Sequence, residues 1–168
     1  MTYGKRTARI VFTLTLLLAT QGRAAAVAPE IKDEAKFFSA EAIKKANEQI
    51  LEIARKFERD LLIETVAGVP AEAQEKVKSM SKEERSKFFD TWAKERAEKV
   101  AVNGVYILVC KEPSYVQIEL YPKSRGPLDN QLRTKLREIL VEQFRDKKFD
   151  EGLLAAVKMV REKLTAKP

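Results

Sequence analysis

Val105-Tyr106-Ile107-Leu108-Val109 is an unbroken apolar run of strand-forming residues, preceded by Asn103-Gly104 and followed by the polar stretch Lys111 to Ser114. A strand without polar alternation has no side to give to water, so both of its faces must be covered, as in the middle of a sheet flanked by helices. The surrounding sequence supplies the rest of such a sheet. Leu61-Leu62-Ile63-Glu64-Thr65-Val66 is a second short, mostly apolar strand, with Gly68 and Pro70 marking its end. Tyr115 to Tyr121 alternates instead. Val116, Ile118 and Leu120 point one way and Gln117 and Glu119 the other, which predicts a strand with one wet face.

Helical periodicity fills the intervals. Ser39 can cap a first helix whose apolar residues Ile43, Ala46, Ile50, Ile53, Ala54 and Phe57 recur at three and four. After a polar connection from Ala71 to Met80, Ser81 and Glu84 form the S-x-x-E capping box of a second long helix. Its stripe of Phe88, Phe89, Trp92, Ala93 and Ala97 reads as core. A third helix carries Leu128, Leu132, Leu136, Ile139, Leu140 and Phe144, and a last one, with Asp150 as its expected N-cap, runs through Leu153, Val157, Val160 and Leu164. The expected class is α/β: a small mixed sheet of three to four strands covered by helices on both faces.

The first 26 residues read as an export signal. Lys5, Arg6 and Arg9 give a basic start, Ile10 to Thr20 an uncharged and largely apolar run, and Ala24-Ala25-Ala26 a small-residue exit. The run is too short for a bilayer span, which needs roughly 20 apolar residues. Cleavage near Ala26 to Ala28 is expected to leave residues 27–168 as one domain in the periplasm or outside the cell. The leader holds Lys5, Arg6, Arg9 and Arg23 and no acid, so the 32 basic residues fall to 28 against 25 acidic ones, and the net charge from +7 to +3. Charges of the mature part alternate in sign along helix-like stretches such as Lys82-Glu83-Glu84-Arg85, the pattern of a solvated face. No nucleic-acid partner is expected.

The chain contains no histidine, which removes the usual general base, the Ser-His and Cys-His nucleophile pairs and most zinc sites. Its single cysteine, Cys110, closes the central apolar run, where a buried and unreactive thiol is expected. Any catalysis would have to run on carboxylates, Lys, Tyr or a bound metal.

At the level of motifs the chain resembles the TPM domain family, which occurs in exported and membrane-tethered proteins and in a thylakoid lumen acid phosphatase. The likeness begins at Ile31-Lys32-Asp33-Glu34-Ala35-Lys36-Phe37-Phe38-Ser39-Ala40-Glu41 and continues through the strand at Leu61 to Val66. It is carried further by Phe88-Phe89-x-x-Trp92, by Asn103-Gly104-Val105-Tyr106-Ile107-Leu108-Val109 and by the closing Phe144 to Leu153, nearly the whole mature chain. The resemblance implies a phosphatase or calcium-binding site built on an acidic cluster. Two acids carry across, Asp33 and Asp129, as candidate catalytic groups and as candidate ligands for Ca²⁺ or Mg²⁺. Val102 stands where the family usually has Asp, and Tyr121-Pro122-Lys123-Ser124-Arg125-Gly126-Pro127 replaces a glycine-rich turn.

Lys123, Ser124, Arg125 and Gly126 precede the third helix, where free backbone N–H groups favour an anion, and they form a candidate anion-binding loop. The same basic loop is where peripheral membrane contact would fall. Two functions compete. One is a non-catalytic interaction or accessory module whose partner is another extracytoplasmic protein, bound through an exposed sheet face or the 67–80 segment. The other is a weak metal-assisted acid phosphatase or calcium-binding domain using Asp33 and Asp129.

Overall fold

The computed structural model describes residues 28–121 and 127–166. The expected leader and Lys123, Ser124, Arg125 and Gly126 lie outside them. In chain order the elements are β1 (Lys32–Asp33), α1 (Ala40–Phe57), β2 (Asp60–Gly68), a 3₁₀ turn (Ala71–Ala73), α2 (Gln74–Ser79), α3 (Lys82–Lys99), β3 (Gly104–Glu112), β4 (Tyr115–Leu120), α4 (Asn130–Arg145) and α5 (Phe149–Thr165). The sheet runs β1-β2-β3-β4, parallel across the first three strands and antiparallel between β3 and β4. The mixed α/β architecture is as the patterning predicts.

Alternate residues of the strands feed two cores. Leu61, Ile63, Val105, Ile107, Val109, Val116 and Ile118 face α1, α4 and α5, where they meet Ala46, Ile50, Ile53, Leu136, Leu140, Leu153 and Val157. Leu62, Val66, Tyr106, Leu108 and Cys110 face the other way, against Val77 of α2 and Phe89, Ala93 and Ala97 of α3. β3 is therefore buried on both sides, which is why its sequence shows no alternation. The connection from β1 to β2 packs on one face and that from β2 to β3 on the other, while the sheet advances in one direction. The two crossovers thus have opposite hands.

The caps explain where helices start. Ser39 accepts from the Ala42 amide, and Ser81 with Glu84 forms the complete capping box. Asp129 caps α4 by accepting from the Leu132 amide.

Three expectations are corrected. Asp150 does not cap α5, which starts one residue earlier at Phe149; its carboxylate accepts instead from the Ser39 amide at 2.9 Å, tying the α5 start to the α1 start. The 71–80 connection is not simply polar linker, because Val77 is an apolar residue that folds a turn of helix onto the sheet. The polar side of β4 is not wet: α3 covers it, and Glu119 is only 2% exposed, with its Oε1 taking a 2.8 Å hydrogen bond from Gln117. Polar alternation in β4 marks a buried Glu119 beside a half-buried Gln117, and among the described residues helices pack on both faces of the sheet.

Candidate functional site

In open α/β sheets, ligands are taken up outside the carboxyl ends of the parallel strands, where successive connections diverge to opposite faces. Here that place lies beyond Asp33 of β1, Gly68 of β2 and Glu112 of β3. Asp33 ends a two-residue strand and turns the chain. Its Oδ1 accepts from the Phe37 amide at 3.1 Å and the Thr65 hydroxyl at 2.5 Å, and its Oδ2 accepts from the Phe38 amide at 2.9 Å. The Thr65 hydroxyl also accepts from the Ala35 amide at 3.0 Å. These bonds fix a tight loop in which Lys36 is left-handed, with φ 55°. Both carboxylate oxygens of Asp33 are thus engaged in holding backbone.

Asp129 is elsewhere. Asp33 pairs with Thr65, and Thr65 with Val109, near the carboxyl end of β3, whereas β4 returns to pair Leu120 with Val105 at its beginning. Asp129 follows β4 and so sits at the opposite end of the sheet from Asp33. Its Oδ2 takes a 2.8 Å hydrogen bond from Lys163, and this bond, with the Leu132 amide, holds its pKa below the ordinary carboxylate value. Calcium asks for six to eight oxygen ligands in one place. Asp33 and Asp129 lie at opposite ends of the sheet and so do not come together in one site, and no three Asp, Glu or Cys side chains converge as a metal-holding group among the described residues.

Two clefts flank the β3–β4 hairpin at the same rim. One, of about 360 Å³, lies between the hairpin and α4, with Lys111, Ser114, Tyr115, Arg137, Val141, Phe144, Arg145 and Phe149 among its walls. Phe37, delivered by the Asp33 turn, stacks on Phe149 at 4.8 Å between centroids, and Phe144 lies 5.3 Å from Phe149. Arg137 projects along the β4 edge to lie 5.2 Å from the Tyr115 ring centre, a cation–π arrangement. The other cleft, of about 590 Å³, is walled by Gly68, Val69, Gln74 and Lys78 together with Arg85, Glu112 and Pro113, so the 67–80 segment does border a concavity.

A buried ionic network supports the other face. Glu64, 4% exposed, takes hydrogen bonds from Lys32 Nζ at 2.7 Å, Arg96 Nε at 2.9 Å and the Tyr106 hydroxyl at 2.5 Å. Burial pushes its pKa up, but the bonds from Lys32, Tyr106 and Arg96 and the Arg96 charge outweigh it, so the carboxylate is held below its ordinary value. Every oxygen is satisfied, which makes it a structural element of the β1–β2–β3 face. Glu119 is the opposite case, with burial raising its pKa above the ordinary value.

Sequence reasoning missed the basic residues of the smaller cleft. Lys111, Arg137 and Arg145 belong to β3 and two separate turns of α4, and each reads in isolation as part of a solvated surface. Only the aromatic cluster had a linear trace, in Phe37 and in Phe144 to Leu153.

A model of the TPM domain matches residues 31–163. Among solved structures, the fold is similar to the N-terminal domain of a P. gingivalis protein, with TM-score 0.60, 15% identity and coverage of 80% of this chain and 83% of that one. It is also similar to the N-terminal domain of the cg2496 protein from Corynebacterium glutamicum, with TM-score 0.57, 8% identity and coverage of 95% of this chain and 91% of that one. At such identities the likeness concerns the fold. No curated protein matches.

Proposed function

The chain belongs to the TPM domain family, and from that premise we propose that it serves as a non-catalytic interaction module in an extracytoplasmic space, with another exported protein as its partner. The observation that carries this reading is the state of Asp33. A carboxylate that receives two backbone amides and a threonine hydroxyl, with both of its oxygens engaged, is a fastening for the loop. The rim it builds presents aromatic and basic side chains, a surface suited to recognition. The leader-like pattern of residues 1–26 supports export.

A second reading, a weak acid phosphatase, has one observation in its favour: Asp33 stands at the carboxyl end of a parallel strand, where α/β sheets place their chemistry. One assay separates the two. The purified protein is offered p-nitrophenyl phosphate with and without Ca²⁺ or Mg²⁺. The module reading expects no turnover in any condition, and turnover lost in Asp33→Asn would establish the hydrolase instead. Periplasmic or culture-supernatant fractionation of the tagged full chain tests the location, and retention in the cytosol would refute it.

A further inference from the structure

We infer that the 360 Å³ rim cleft is a docking site for an acidic peptide segment of a partner protein, one that sets aromatic or aliphatic side chains beside its carboxylates. The inference rests on the module reading and names its ligand. Its first support is charge. Lys111, Arg137 and Arg145 all line the cleft and are exposed, and no acid lines it. None of the three forms an ion pair among the described residues, and Arg137 lies over the Tyr115 ring at the cleft wall. Three cations and no acid around one cleft give it a local positive charge.

The second support is the floor. Phe37, Phe144 and Phe149 form a continuous aromatic surface, and Val141, beside them, is one of two large hydrophobic residues exposed among those described, at 38%. An apolar centre ringed by arginine and lysine is the anatomy of a protein–protein contact, and cations of one sign select an acidic counterpart. The cations sit on the margin and come from two separate elements, so they suit carboxylates spaced along a chain better than one small anion gripped at a single point. The Asp33 turn has a place in this design, since it fixes Phe37 against Phe149.

The test is a fluorescence anisotropy titration of the full mature chain with labelled Glu-Phe-Glu-Leu-Glu, alongside Lys-Phe-Lys-Leu-Lys and Glu-Gly-Glu-Gly-Glu. The expected result is saturable binding of the first peptide only, weakening with salt. The double variant R137A/R145A should bind roughly tenfold more weakly, and V141S, which leaves every charge in place, should bind more weakly as well. Thermal unfolding of each variant establishes that it is folded. Absence of saturation, equal binding of the lysine peptide, or unchanged affinity in both folded variants overturns the inference. Arginine-dependent pelleting with phosphatidylserine vesicles in place of peptide binding also overturns it, in favour of a membrane surface. If peptide binding fails and phosphomonoester turnover is also nil, only the acidic-peptide assignment falls; Asp33-dependent turnover would remove the module reading beneath it.

Discussion

Asp33 and Thr65 face each other across the parallel β1–β2 pair, and the Thr65 hydroxyl donates to Asp33 Oδ1 at 2.5 Å. Through that bond and the amides of Phe37 and Phe38, one carboxylate joins an edge strand of two residues to the sheet and shapes the turn that feeds the rim. Replacing it with Ala leaves two amides and a hydroxyl without their acceptor. Asp33→Ala is therefore expected to lower unfolding stability by about 2–3 kcal/mol, and Asp33→Asn, which keeps one acceptor oxygen, by less. Urea denaturation measures both. An Ala variant as stable as the parent would mean that Asp33 is not a fastening.

Two buried glutamates should respond to pH with opposite signs. Glu64 has its folded-state pKa held below the ordinary value of 4.5, so its contribution is full above about pH 4.5 and is lost as the pH falls through the folded value. Glu64→Gln leaves the partly exposed Arg96 and Lys32 without their counter-charge and should cost about 1–3 kcal/mol at pH 7, the deficit shrinking below pH 4.

Glu119 has its folded-state pKa raised, chiefly by burial, so its contribution is full below the ordinary value and is lost as the pH rises through the folded one. Glu119→Gln should accordingly stabilise the protein at pH 7 and make no difference below pH 4. Unfolding curves of both variants across pH 3 to 8 provide the check; a destabilised Glu119→Gln at pH 7 would show that the ionised form is well supported.

Gly104 opens β3 against the start of β2, and a Cβ there would fall 2.0 Å from the carbonyl oxygen and 2.7 Å from the nitrogen of Asp60. Both are backbone atoms, so the strands would have to part. Gly104→Ala should cost about 3 kcal/mol. At Gly68 the same addition meets only the Glu112 carbonyl oxygen at 3.3 Å, and Gly68→Ala should cost much less. Equal losses in thermal stability would argue against this close approach.

Cys110 is buried, and burial pushes its thiol up to about 11. The native protein should leave it unmodified by a thiol reagent at pH 8, with one equivalent reacting after denaturation. Rapid labelling of the folded chain would show that the strand end opens.

Much of the fold was legible because its signals are local. The run at Val105–Val109, the Ser39 cap and the Ser81–Glu84 box each state their structure within a few residues. β1 was not legible, since two residues carry no period, and it exists only because Lys32 and Asp33 find Glu64 and Thr65 across the sheet. Glu119 misled for a related reason: alternation reports polarity, and a polar residue can be buried if Gln117 and the middle of α3, at Asp90 and Lys94, receive it. The carboxylates Asp33 and Asp129 were visible as residues but not as strangers: the short 111–114 connection already returns β4 to the start of β3, but with β1 illegible nothing in the linear order placed Asp33 at the opposite end of the sheet. The same holds for Lys111, Arg137 and Arg145, which only the packing of α4 beside the β3–β4 hairpin brings around one cleft.

The most direct measurement is a calorimetric titration of Ca²⁺ into the purified protein, beside Asp33→Asn. With both Asp33 oxygens already holding backbone and Asp129 paired to Lys163, the expected result is no saturable heat in either protein. Stoichiometric micromolar binding in the parent that disappears in Asp33→Asn would contradict the structural role assigned to Asp33 and the non-catalytic function built on it.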